Sequence, residues 1–149
     1  LVHKKHFDSV SSYVPSDAPV AFRGSAPEGA GYWFAPTVLT PDSRNHISAT
    51  DEIFGPVVTV LPFDDDADAM ELANATEYGL GGAVWTRNIS TAMRMVDGIK
   101  AGSVWVNCYG WMDIGVGMAG YKLSGYGIKG GPSYVDSFLY EKCVYINVS

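Results

Sequence analysis

The chain has 149 residues, of which 47% are apolar and 17% charged, the composition of a folded globular protein rather than a disordered one. Its formal net charge of -6 argues against a nucleic-acid partner, because binding to phosphates requires a basic surface. No apolar run approaches the roughly 18 residues of a membrane-spanning helix, so no membrane partner is expected.

The cysteines indicate a reducing environment. Cys108 and Cys143 lie far apart in the chain and match no metal-binding or redox spacing. We therefore expect a cytoplasmic protein without a metal site.

The N-terminal part is predicted to hold one helix and one strand. His3 to Val14 places Phe7 and Val10 at helical intervals, with His6 expected on the outer face. After a glycine-containing turn region, a strand is expected around Thr37 to Thr40.

The clearest pattern lies between Gly55 and Asn107. Val57 to Leu61 is nearly continuous in β-branched and aliphatic residues, which is typical of a strand buried on both faces. The elements that follow are a helix after the acidic residues 64–66, a strand at 83–86, a helix with Ala92, Met93, Val96 and Ile99 on one side, and a strand at 103–107. The predicted fold class is therefore α/β, with a parallel β-α-β-α-β sheet flanked by helices.

Two features are predicted for the C-terminal part. Cys108 to Ser133 is rich in glycine and lacks periodicity, and such a long loop in a compact domain is usually functional. Phe138 to Val148 alternates apolar and polar residues and predicts a half-buried C-terminal β-strand. The chain is accordingly divided into a domain of residues 1–137 and a strand of residues 138–149.

Several motifs together resemble the aldehyde dehydrogenase superfamily. The strongest is Asp51-Glu52-Ile53-Phe54-Gly55-Pro56-Val57, close to the family's E-E-I-F-G-P-V. The others, in the family's order, are Gly31-Tyr32-Trp33-Phe34-Ala35-Pro36-Thr37-Val38, Asn74-Ala75-Thr76-Glu77-Tyr78-Gly79-Leu80, Ala101-Gly102-Ser103-Val104-Trp105-Val106-Asn107 and Gly120-Tyr121-Lys122-Leu123-Ser124-Gly125. Because they spread over most of the chain, the match is specific.

The resemblance implies the second half of the catalytic domain of an NAD- or NADP-dependent enzyme, followed by its oligomerisation strand. In the family a cysteine thiolate attacks the aldehyde to give a thiohemiacetal, hydride passes to the nicotinamide, and water hydrolyses the thioester. The motifs that carry this cysteine and the general-base glutamate do not occur here. The chain is therefore expected to be a fragment that starts downstream of both residues, holds no catalytic residue and is inactive alone.

Two residues of the first motif are implied to contact the cofactor. Glu52 matches the glutamate that hydrogen-bonds the nicotinamide ribose hydroxyls, a role suited to a carboxylate that accepts from both. Phe54 matches an aromatic residue near the nicotinamide. The residues alone leave open that Glu52 is a solvated acid before a strand and that Phe54 is a core phenylalanine.

The loop after residue 106 is implied to line the entrance for the aldehyde, since ligands of open α/β sheets bind beyond the carboxyl ends of strands. The candidate substrate-tunnel residues are Asn107, Cys108, Tyr109, Trp111, Met112, Ile114 and Met118. Their apolar members are equally compatible with burial against the domain. Met118 stands where family members commonly carry an aromatic residue, which indicates a reshaped, more pliable pocket. Cys108 is not expected to be the nucleophile.

These expectations lead to one main hypothesis and two alternatives. The first is a C-terminal fragment of an aldehyde dehydrogenase, whose partners are a small-molecule aldehyde, the rest of the enzyme and further copies joined through the C-terminal strand. The alternatives are a non-catalytic interaction module that docks on full-length subunits and an inert structural domain.

Overall fold

The computed structural model describes all 149 residues, which form two compact units, Leu1–Asp64 and Asp65–Ser149. The elements of the first unit are α1 (Lys4–Ser12), β1 (Val20–Arg23), β2 (Thr37–Leu39), α2 (Ile47–Thr50) and β3 (Val57–Thr59). None of the helices in either unit reaches the length and hydropathy needed to cross a bilayer.

The first unit is built on a three-stranded mixed sheet in the order β1-β2-β3. β1 runs antiparallel to β2, whereas β2 and β3 are parallel, with Thr37 opposite Val57 and Leu39 opposite Thr59. The short helix α2 lies between β2 and β3 in the chain. Strand β1 lies in a stretch for which the sequence analysis predicts no element.

The core of this unit confirms the predicted first helix. Val10 and Leu39 are completely buried, and the rings of Phe7 and Phe34 meet edge to face with centroids 5.8 Å apart. Gly55 allows α1 to approach closely, since a Cβ at that position would lie 2.7 Å from a methyl group of Val10. The helix therefore packs directly on the chain segment that leads into β3.

The second unit contains two helices, six short strands and a final 3-10 helix. They are α3 (Asp66–Asn74), β4 (Tyr78–Gly79), β5 (Gly81–Val84), α4 (Ile89–Gly98), β6 (Ser103–Val106), β7 (Met118–Ala119), β8 (Tyr121–Lys122), β9 (Ile128–Lys129) and the 3-10 helix Pro132–Phe138. β5 and β6 form a parallel pair joined through α4, while β4 pairs with β8 and β7 with β9, both antiparallel.

Side-chain caps begin both helices, and the first cap lies among the acidic residues where the sequence predicts a helix start. Asp65 accepts hydrogen bonds from the backbone N–H groups of Ala67 and Asp68, both at 2.9 Å. Asn88 accepts from those of Ser90 and Thr91 at 2.9 and 3.2 Å. These contacts satisfy donors that the first helical turn leaves unpaired, so each cap determines where its helix begins.

Two of the motifs meet in one junction of the second unit. The Lys122 ammonium donates to the carbonyl oxygens of Asn74 and Thr76 at 2.9 and 2.8 Å, where α3 ends. The Asn74 amide in turn donates to the Gly98 carbonyl and accepts from the Lys100 N–H. The motifs therefore mark a hydrogen-bonded support that joins α3, α4 and β8.

The α/β class is confirmed, but the arrangement of the strands differs from the predicted β-α-β-α-β sheet. Only β5-α4-β6 forms a parallel pair of that run, because β3 takes β2 as its partner. The expectation that β3 is buried on both faces is wrong, since the Val58 side chain is 54% exposed. A hydrophobic run indicates a strand, but not which partner or layer covers it.

Two further expectations about burial need correction. In α4, Ala92 and Met95 are buried, whereas Met93 is 53% exposed. Leu139 to Ser149 forms no ladder with any strand of the chain, and Phe138 belongs to the 3-10 helix. Within this chain the C-terminal segment is therefore not the half-buried strand that its alternation predicts, and pairing with another subunit stays a prediction.

Candidate functional site

The loop that carries Glu52 and Phe54 joins α2 to β3 and presents both side chains outward. Glu52 is exposed, and the Phe54 ring is 75% exposed. Phe54 adopts a left-handed backbone conformation with φ 52°, which costs a non-glycine residue about 1–2 kcal/mol. The alternative that Phe54 is a core residue of this chain is wrong, and the loop offers a carboxylate and an aromatic face to a ligand.

His6 supports this loop from α1, although the sequence places it on the outer face of that helix. Its Nε2 atom lies 2.7 Å from the Phe54 carbonyl oxygen, and the two rings have centroids 6.2 Å apart. Sequence analysis missed the contact because the residues are far apart in the chain.

The second unit contains a cavity of about 480 Å³. Four of the predicted tunnel residues line it, namely Trp111, Met112, Ile114 and Met118. Trp105 and Val116 add further apolar surface, and Asp113 and Lys129 supply the charged groups. A mostly apolar cavity with a few polar groups is typical of a small-molecule site.

The other three predicted tunnel residues do not line this cavity. Cys108 is an exposed free thiol, and the Tyr109 ring packs on that of Trp105 with centroids 5.0 Å apart. The Asn107 amide is bound to the chain itself: it accepts from the Thr86 N–H and donates to the Thr86 carbonyl, both at 2.9 Å. These three residues therefore lie outside the wall of this cavity, and their place in a substrate tunnel stays a prediction; within the chain, Asn107 joins the carboxyl ends of β5 and β6.

Sequence reasoning also missed Trp105, which shapes the cavity wall. Its indole N–H donates to the Trp111 carbonyl at 2.8 Å and so ties the loop to β6. A tryptophan one residue before the end of a strand that leads into an apolar loop was the available signal. No three His, Cys, Asp or Glu side chains gather as metal ligands.

Comparison with known proteins identifies relatives along nearly the whole chain. The model of the aldehyde dehydrogenase family matches residues 1–144. An aldehyde dehydrogenase of Emericella nidulans is 36% identical over 148 residues, which cover 97% of this chain and 30% of that protein.

Solved structures agree with this relationship. An aldehyde dehydrogenase from Bacillus cereus superimposes with a TM-score of 0.89 at 38% identity, covering 100% of this chain and 31% of the other. Betaine aldehyde dehydrogenase from Staphylococcus aureus, solved in complex with NAD+, gives a TM-score of 0.83 at 32% identity, covering 93% and 29%. The chain thus spans about three tenths of the length of the relatives it matches.

Proposed function

Because this chain belongs to the aldehyde dehydrogenase family, we propose that it forms the C-terminal part of an NAD(P)-dependent enzyme that oxidises an aldehyde to a carboxylic acid. The overall reaction consumes aldehyde, water and NAD(P)+ and yields the acid, NAD(P)H and a proton. The nucleophilic cysteine and the general-base glutamate come from elsewhere in the intact enzyme, so the chain alone is inactive.

The exposed loop with Glu52 and Phe54 carries this proposal. The nicotinamide group accepts the hydride when it is bound. The Glu52 carboxylate has no intramolecular partner that restrains it and suits two ribose hydroxyl donors, since charge-assisted hydrogen bonds are the stronger kind. The outward Phe54 ring supplies an apolar surface beside it. This acceptor group and ring fit a nicotinamide riboside, and the NAD+ complex of the Staphylococcus aureus relative supports the same cofactor class.

The apolar cavity of the second unit supports a role in aldehyde binding. Indole, thioether and aliphatic side chains dominate its wall, and they favour an apolar or aromatic aldehyde. Met118 adds a flexible, polarisable side chain that adapts to differently shaped substrates. Trp111, Met112 and Ile114 form one side of this wall, and all three lie in the loop after β6.

A second candidate function is an interaction module that docks on full-length subunits in the cytoplasm. The C-terminal segment favours it, because Tyr140, Tyr145 and Val148 are almost completely exposed. Large apolar side chains in an unpaired segment provide a surface for another chain.

The proposed function is tested by Glu52→Gln in the intact enzyme. Loss of a charge-assisted hydrogen bond is worth about 1.5–3 kcal/mol, and the contact positions the ring that accepts hydride. We therefore expect hydride transfer in single-turnover measurements to slow by about ten- to hundredfold, with a smaller effect on cofactor binding. Glu28→Gln, at an exposed position of the same unit, is the matched control. Unchanged single-turnover rates in the Glu52 variant contradict the role.

The isolated chain serves as the negative control of this experiment. It is expected to show no aldehyde-dependent reduction of NAD or NADP. Turnover that Cys108→Ala abolishes would identify Cys108 as the nucleophile and refute the proposal that catalysis needs the rest of the enzyme.

A further inference from the structure

One face of α1 contacts the Glu52 loop at three points. His6, Val10 and Tyr13 follow each other at intervals of four and three residues, which places them on the same side of a helix. His6 meets the Phe54 carbonyl at 2.7 Å, Val10 packs on Gly55, and the Tyr13 hydroxyl donates to the Asp51 carboxylate at 3.2 Å. The helix face therefore supports the loop on both sides of Glu52.

The contact with His6 has a defined donor. A carbonyl oxygen only accepts, so the Nε2 atom of His6 must carry the proton in the hydrogen bond to Phe54. The Val2 N–H points at the other ring nitrogen, Nδ1, at 3.5 Å, which is compatible with that tautomer. The ring of His6 also contacts that of Phe54 and thereby limits the directions the Phe54 side chain can take.

This hydrogen bond acts where the backbone is strained. Phe54 has φ 52°, a conformation that surrounding contacts must hold in place for a bulky residue. The bond joins residues 48 positions apart, so it restrains the loop relative to the helix rather than shaping a local turn. Released from it, the Phe54 peptide is expected to relax toward an ordinary conformation and to displace the neighbouring Glu52 carboxylate.

We propose that His6 is a positioning residue, which through its hydrogen bond to the Phe54 carbonyl holds Glu52 and Phe54 in the geometry that binds the nicotinamide riboside. The inference rests on the proposed function of that loop. Removal of the hydrogen bond between His6 and Phe54 is expected to lower the free energy of unfolding only slightly, because the bond is exposed and water replaces it. A change in the geometry of Glu52 and Phe54 can therefore be measured separately from a change in the stability of the protein.

The test compares His6→Ala, His6→Gln and Lys5→Ala in the intact enzyme. In His6→Ala we expect KM for NAD(P) to rise and the hydride-transfer rate to fall, which together lower kcat/KM for NAD(P) by about three- to tenfold, the effect of one neutral hydrogen bond. The KM for aldehyde and the thermal midpoint are expected to stay unchanged. His6→Gln, which keeps an N–H donor at the same reach, is expected to restore most of the effect. Lys5 is exposed on the same helix and serves as the control.

Each outcome decides between the two claims when Glu52→Gln is measured in parallel. If His6→Ala behaves like the wild type while Glu52→Gln is impaired, the positioning role is refuted and the proposed function stands. If Glu52→Gln and Phe54→Ala both leave cofactor kinetics unchanged, the proposed function itself fails. An equal rise of both KM values, or no recovery in His6→Gln, indicates general damage and refutes the positioning role.

Discussion

At the scale of residues, the left-handed backbone conformations mark the positions that tertiary contacts control. Phe54, Asn107 and Lys122 are the non-glycine residues with positive φ, and each takes part in long-range hydrogen bonds. The Phe54 carbonyl accepts from His6, the Asn107 amide binds the Thr86 backbone, and the Lys122 ammonium binds the end of α3. Since this conformation costs a non-glycine residue about 1–2 kcal/mol, the contacts offset a local penalty.

Asn107→Ala is expected to destabilise the intact enzyme. It removes two hydrogen bonds to Thr86, each worth about 0.5–1.5 kcal/mol, and keeps the left-handed strain. Asn107→Gly loses the same bonds but tolerates φ 54° freely, so its thermal midpoint should fall less than that of the alanine variant.

Thermal midpoints of both variants and of Asn45→Ala, an exposed control, decide the matter. Equal midpoints for the wild type and Asn107→Ala would show that the amide contributes nothing to the join between β5 and β6.

At the scale of elements, the contact between α1 and the Glu52 loop has a pH-dependent component. Burial raises the pKa of Tyr13 above its ordinary value, and the hydrogen bond to Asp51 and the charge of that carboxylate raise it further. The folded state thus favours the neutral phenol. The contribution of the neutral phenol to the free energy of unfolding is fully present below the pKa of tyrosine in the unfolded state, about 10. It is lost as pH rises through the higher pKa of Tyr13 in the folded state.

Tyr13→Phe is expected to remove this component. As pH rises above about 10 the wild type should lose more stability than the variant, because only the wild type must ionise a phenol beside Asp51. Unfolding midpoints measured from pH 8 upward give the difference, with Tyr126→Phe as a fully exposed control. A difference that grows as pH falls would have the wrong sign and contradict the interpretation.

At the scale of the whole molecule, the chain exposes more surface than folded chains of its mass do. Its accessible area is 11333 Å², whereas a compact monomer of this mass exposes about 7400 Å² and two separate units of these sizes about 9000 Å² in total. The excess includes Trp111, Ile114 and Phe138, which are mostly exposed. Such apolar surface supports the proposal that other parts of an intact enzyme, or other subunits, cover it.

Deletion of residues 138–149 is expected to shift the isolated chain from self-association or aggregation toward the monomer. The segment has exposed apolar side chains and backbone groups that pair with no strand of its own chain. Sedimentation of the intact and truncated chains at equal concentration tests this expectation. The double variant Val144→Ser and Ile146→Ser keeps the length and should act like the deletion. If the intact and truncated chains are both monomeric, the segment does not mediate association.

The sequence by itself determined the local structure and the family. Capping side chains such as Asp65 and Asn88 act on backbone groups two or three residues away, so their pattern locates the starts of α3 and α4. Glycines such as Gly55 and Gly79, within the motifs, lie where a Cβ would collide with neighbouring atoms. Packing therefore constrains the residue type at these glycine positions of the motifs.

Only the tertiary structure decided which elements meet. The pairing of β3 with β2, the contact of His6 with Phe54 and the binding of Asn107 to Thr86 join residues distant in the chain. The same local pattern is compatible with several partners, and their relative free energies depend on the whole packed fold. The apolar composition of the loop from Trp111 to Ile114 is visible in the sequence. That Trp105 lines the same cavity depends on how the strand and the loop fold together, so only the structure shows it.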